Sequence, residues 1–122
     1  MGNQDSSKWQ TKVVQGSKEG LSLTIENGSG GDNGAAAKWS GEVAGGAGTL
    51  KINNANAQSE WTGKVVAGNG TTEIKNDGVY KGVVETGTNG DSTGNTTITN
   101  NLTWGSNAED AKITHKGKAT LL

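Results

Sequence analysis

KWSGEVAGGAGTLKINN (residues 38–54) and EWTGKVVAGNGTTEIKN (residues 60–76) decide how the chain is organised. Both run Trp, any residue, Gly, any residue, Val, then a Gly-rich turn, then a segment closing on Ile, any residue, Asn. The step from Trp to Ile is 13 in each, Trp39 to Ile52 and Trp61 to Ile74. A repeat of roughly twenty residues takes precedence over any local reading, because each copy is one unit that buries its apolar face against its neighbours. Weaker copies flank the pair. KWQTKVV leads to LSLTIEN (Trp9 to Ile25), VYKGVVETG leads to TTITN (Tyr80 to Ile98), and a degenerate copy runs from Trp104 to Ile113. The aromatic positions 9, 39, 61, 80 and 104 are 30, 22, 19 and 24 residues apart, so the variation in length is expected in loops.

Within a unit the apolar period is two, the signature of strands. In EWTGKV, Trp61, Gly63 and Val65 fall on one face and Glu60, Thr62 and Lys64 on the other. Thr72 and Ile74 go with the Trp, and Glu73 and Lys75 with the charges. Gly two residues after the aromatic (Gly41, Gly63, Gly82) leaves a gap that the ring is expected to cover. Turns are expected at GGAG, GNG and the Asp77 and Gly78 pair, where Gly and Asn allow positive φ. Longer exposed loops are expected at NGSGGDNGAAA (27–37) and ETGTNGDSTGN (85–95), and short helical turns only at 35–38 and 107–112. The expected fold is a single all-β domain over residues 1–122 with about ten short strands, two in each of five units. It is an antiparallel meander, closed as a barrel or folded as a sandwich, or else a short β-solenoid. Tight Gly turns and unequal spacing favour hairpins. Asn27, Asn54, Asn76 and Asn100, each two residues after an Ile, favour stacking, because Asn at one position in successive turns can form an amide ladder.

Of 122 residues 21 are Gly, and Pro, Cys and Phe are absent. Leu, Ile and Val number 19, under the level of roughly 20% at which disorder becomes a concern. The net charge is only -1, however, and four Trp and one Tyr recur on the apolar face. A folded chain with a thin core follows. Without Cys there is no disulfide, thiolate nucleophile or Cys-bound zinc. The 11 basic residues are all Lys and alternate with Glu, so no basic face forms and nucleic acid is not an expected partner. No apolar run approaches the roughly 20 residues of a membrane helix, and no signal peptide is visible in MGNQDSSKW.

Chemistry is sparse. The one imidazole, His115, sits in KITHKGK between lysines, and there is no Gly-x-Ser-x-Gly elbow. Glu42, Glu60, Glu73 and Glu85 alternate with Lys, which reads as cross-strand ion pairing rather than paired catalytic carboxylates. GSGGDNG and GGAG lack the Lys of a phosphate loop, and Asp32 and Asp91 lack calcium-loop spacing. Four Asn-x-Ser/Thr sequons, at Asn27, Asn69, Asn95 and Asn101, carry little weight, since a chain this rich in Asn, Ser and Thr yields roughly two or three by chance. No catalytic residue, metal or cofactor is expected. The remaining candidates are Trp9, Trp39, Trp61, Tyr80 and Trp104, whose rings either stack on a ligand such as a sugar or fill the core.

The run GAGTLKINNANAQSEWTGKVVAGNGTTEIKN, with the preceding residues back to Trp39 and ending at Asn76, resembles the passenger repeats of bacterial autotransporter proteins. That resemblance implies β-helix turns and an extracellular adhesive or structural role. WSGEVAGGAGTLKIN, with Trp9 and Ser17, is more faintly similar to avidin and streptavidin barrels, which implies a small-ligand pocket. The expected function is a non-enzymatic structural or adhesive protein of a bacterial surface or phage particle, extracellular, acting through assembly or surface binding. Its expected partners are further copies of itself or partner subunits, with glycans as a second class and no membrane insertion. The alternative is a carbohydrate- or small-ligand-binding β-barrel.

Overall fold

The computed structural model describes residues 2–3, 8–16, 20–28, 37–86, 94–105, 112–115 and 120–121. The chain winds as a coil with three strands to each turn. The first turn holds β1 (Gly2–Asn3), β2 (Lys8–Trp9) and β3 (Val13–Val14). The second holds β4 (Ser22–Asn27), β5 (Lys38–Trp39) and β6 (Val43–Ala44), and the third β7 (Thr49–Asn54), β8 (Glu60–Trp61) and β9 (Val65–Val66). The fourth holds β10 (Thr72–Asn76), β11 (Val79–Tyr80) and β12 (Val84–Thr86). The fifth holds β13 (Thr96–Asn100), β14 (Thr103–Trp104) and β15 (Ile113–His115), and β16 (Thr120–Leu121) begins a sixth. Each strand pairs in parallel with its equivalents one turn before and after, giving a first sheet β1-β4-β7-β10-β13-β16, a second β14-β11-β8-β5-β2 and a third β15-β12-β9-β6-β3.

This topology corrects the expected one. The described strands pair only in parallel, so an antiparallel meander, barrel or sandwich is overturned. Among the described residues sixteen short strands stand in place of about ten, with three per turn instead of two. The reason lies in the corner between the second and third sheets. EWTGKV is two strands, β8 and β9, in different sheets, yet Trp61, Gly63 and Val65 are buried while Thr62 and Lys64 are exposed. In-out alternation passes through the corner unbroken, so a period of two cannot separate one strand from two.

The Gly-rich segments correct a second expectation. They are corners from the third sheet back to the first, and positive φ among the described glycines is confined to Gly20, Gly28 and Gly105. What Gly supplies at these corners is closeness. A Cβ on Gly68 would overlap the carbonyl oxygen of Gly46, and one on Gly70 that of Gly48. The glycine after each aromatic acts likewise: a Cβ on Gly63 would overlap the Gly41 carbonyl oxygen, and one on Gly82 that of Gly63. The gap admits the backbone of the preceding turn, and at Gly82 the Trp61 ring also comes within 3.1 Å of the place a Cβ would take.

Inside the coil like stacks on like. The register aligns Ile25, Ile52, Ile74 and Ile98 on the first sheet and Val43, Val65 and Val84 on the third. All are buried with Trp39, Trp61 and Tyr80 in one core. Each side chain therefore finds its packing partners in the turns above and below, and no single turn encloses a core. On β10 the alternation is complete, with Thr72, Ile74 and Asn76 buried and Glu73 and Lys75 exposed. The corner from aromatic to Val is constant, from Trp39 to Val43, Trp61 to Val65 and Tyr80 to Val84. Length varies at the corner leaving the first sheet, with residues 55–59 in the third turn and 77–78 in the fourth. Of the expected long loops, residues 29–36 and 87–93 lie outside the described residues, as do residues 35–36 and 107–111 of the expected helical turns. Lys38 opens β5 instead of closing a helix.

Candidate functional site

The five aromatic candidates are brought together, pointing inward from the second sheet. Trp9, Trp39, Trp61, Tyr80 and Trp104 occupy one register position and form a single column. Ring centroids are 5.0, 4.8, 6.1 and 4.2 Å apart in that order, and the planes are within 12° of parallel. Stacked pairs of this kind add about 0.5–1.5 kcal/mol each beyond area burial. Trp39, Trp61 and Tyr80 have no exposed surface, so a ligand cannot reach their faces. Trp9 and Trp104, at either end of the column, are half-buried.

Polar atoms in the column are provided for at the indoles and not at the phenol. Trp9, Trp39 and Trp61 each donate Nε1–H to the carbonyl two residues on, at Thr11 (2.8 Å), Gly41 (3.0 Å) and Gly63 (2.9 Å). The Tyr80 hydroxyl is buried without a partner, and burial pushes its pKa far above the ordinary value of 10.

A second column runs where the chain leaves the first sheet. Asn27 donates Nδ2–H to Asn54 Oδ1 (2.9 Å), Asn54 to Asn76 Oδ1 (2.8 Å) and Asn76 to Asn100 Oδ1 (2.8 Å). The same amides reach the carbonyl that closes their own corner and the first carbonyl of the next turn's second-sheet strand, Asn54 to Ser59 (3.0 Å) and Val79 (3.1 Å), Asn76 to Gly78 (3.0 Å) and Thr103 (2.7 Å). Each net hydrogen bond contributes about 1 kcal/mol, and each buried partner left unmatched costs about 1–3 kcal/mol. The ladder therefore locks every corner to the next turn.

Outside, side chains that alternate with the buried ones stand in rows. On the first sheet one row is Thr24, Lys51, Glu73 and Thr97, and the next is Glu26, Asn53, Lys75 and Thr99. A groove of about 340 Å³ runs between these rows over the strand segments at Ile52 and Ile74. Lys51 pairs with Glu73 (3.7 Å) and Lys75 with Asp77 (3.5 Å). At the third sheet Lys12 pairs with Glu42 (3.4 Å) and Lys64 with Glu85 (3.2 Å). Three of these four pairs bridge adjacent turns. Glu60 stands apart on the second sheet, so the candidate carboxylates are dispersed. Among the described residues no three His, Cys, Asp or Glu side chains gather where a metal could bind, and no helix is long and apolar enough to cross a membrane. Asp32, Asp91, Ser17 and the His115 side chain lie outside the described residues. Of the sequons, Asn27 is a ladder member, Asn101 donates to Asp77 (2.7 Å), and Asn69 and Asn95 are exposed.

Apart from Glu73, weighed as a carboxylate, the groove residues were not among the sequence candidates. Their signal is positional: aligning the copies on Ile and Asn places Lys51, Glu73, Asn53 and Lys75 in two adjacent outward rows. Comparisons with family models, with curated proteins and with solved structures returned no match.

Proposed function

We propose that the chain is a non-enzymatic structural or adhesive element of a bacterial surface or phage particle, acting through assembly or surface binding. The observation that carries the reading is the pair of columns running through successive turns. Aromatic rings from Trp9 to Trp104 and amides from Asn27 to Asn100 tie each turn to the next. A coil bound together along its axis is a stiff spacer, and its three outer faces repeat the same positions turn after turn. Residue types that carry chemistry elsewhere are spent on holding the coil (Trp, Tyr, Asn), and Lys12, Lys51, Lys64 and Lys75 are paired with carboxylates along its outside. The outer rows are thus the surfaces left for contact. Adhesion to cells or to partner subunits, or concentration-dependent association in light scattering, is the expected result. A monodisperse monomer at high concentration that binds neither cells nor subunits would sink the proposal.

A further inference from the structure

We infer that the groove on the outer face of the first sheet binds an uncharged oligosaccharide laid along the coil axis. The inference rests on the surface-binding reading above and names the ligand class for one face. The groove extends over four turns, from Thr24 to Thr97 and Thr99. With parallel strands roughly 4.8 Å apart, three intervals give a length on the order of 14 Å, that of a short oligosaccharide rather than of a single small molecule. Its volume of about 340 Å³ lies at the lower end for ligand sites.

Charge selects against other ligands. Both lysines at the groove have a carboxylate within 4 Å, Lys51 with Glu73 and Lys75 with Asp77. Among its lining residues the groove therefore offers no unbalanced cation for a phosphate or sulfate and no unbalanced anion for a metal or polyamine. A peptide strand gains nothing from backbone pairing here, because the floor is the face of a sheet whose strands at Ile52 and Ile74 already pair on both sides. The groove does offer donors and acceptors in alternation: ammonium beside carboxylate, with Thr hydroxyls in the flanking turns. Sugar hydroxyls both donate and accept, and an adjacent Lys and Glu give each of them a charge-assisted partner.

One acceptor is also left over. Asn53 lines the groove, and its Oδ1 is buried without a hydrogen-bond partner. Such an atom costs free energy until a donor reaches it. A ligand hydroxyl is a donor of the right kind once the amide turns its Oδ1 into the groove.

The test is titration of the full chain with neutral oligosaccharides (gluco-, manno- and N-acetylglucosamine series), with a sulfated glycosaminoglycan and polyphosphate as charged comparators, followed by amide NMR shifts and calorimetry. The expected result is binding of at least one neutral series, with shifts centred on Lys51, Asn53, Glu73 and Lys75. Asn53→Ala and Glu73→Gln should each weaken it roughly tenfold, with melting temperature unchanged, while Glu85→Gln on the third sheet leaves it as it was. Glu73→Gln frees Lys51 and should also raise affinity for the sulfated comparator. Binding of only the charged comparators, binding indifferent to both groove variants, or no binding to any neutral series overturns the inference. Adhesion and association of the same variants separate the two proposals. If they persist without glycan binding, the groove inference fails alone; if the wild-type chain shows neither, the functional proposal fails with it.

Discussion

The third and fourth turns follow one template and solve it differently. The third carries Trp61, whose Nε1–H donates to Gly63, and leaves the first sheet through the five-residue corner 55–59. The fourth carries Tyr80, whose hydroxyl finds no partner, and turns through Asp77 and Gly78 alone. Both hold a ladder Asn, both stack their ring parallel to the neighbours, and both place Val four residues after the ring. Both turns therefore keep the ring, the amide and the close-approach glycine (Gly63, Gly82), and differ in corner length and in the ring's own polar atom. The difference has a cost, and the orphaned hydroxyl marks where it falls.

The sharpest way to break this comparison is to remove the rings. Trp61→Ala is expected to lose about 3–5 kcal/mol in urea unfolding, since a fully buried ring leaves a cavity between two others. Tyr80→Ala should cost about 1 kcal/mol less, because it also removes an unmatched hydroxyl; equal losses would mean that the hydroxyl carries no penalty. Next comes the ladder. Asn54→Ala should cost about 2–4 kcal/mol by leaving Asn27 Nδ2–H and Asn76 Oδ1 short of a partner, again read from the urea midpoint.

Tyr80→Phe is the opposite case, a substitution expected to stabilise by about 1–2 kcal/mol. It carries a pH signature. Burial raises the phenol's pKa in the folded chain above its ordinary 10, so above pH 10 the unfolded chain releases a proton that the folded chain keeps. Tyr80's contribution is fully present below pH 10, and stability falls above it by up to about 1.4 kcal/mol per pH unit. The Phe variant should lack that component, which the difference between the two alkaline stability profiles isolates. The smallest effect is expected outside: Lys64→Ala removes an exposed pair with Glu85 and should shift stability by less than about 0.5 kcal/mol, with the remainder screened by salt.

How much of this was legible is seen at particular residues. Trp9, Trp39, Trp61, Tyr80 and Trp104, the repeat's aromatic positions, are the rings that stack in space, and the Asn two places after each Ile marks the ladder. Strand direction and number were not legible. Gly46, Gly68 and Gly70 look the same in a string of letters whether a turn reverses the chain or bends it round a corner, and here they admit a neighbouring backbone. The outer groove is not legible in the sequence because Lys51, Glu73 and Lys75, taken one strand at a time, are ordinary solvent-facing charges.

By itself the sequence determined which side chains point in and which point out, and which positions recur from copy to copy. Burial preference is a property of each side chain, and alternation with a period of two encodes it locally. Only the tertiary structure decided that Trp61 and Val65 belong to different sheets, that the described strands all pair in parallel, and that Thr24, Lys51, Glu73 and Thr97 stand side by side. Those relations join residues about a full turn of chain apart. They are set by contact between neighbouring turns, for which no residue carries a local signal.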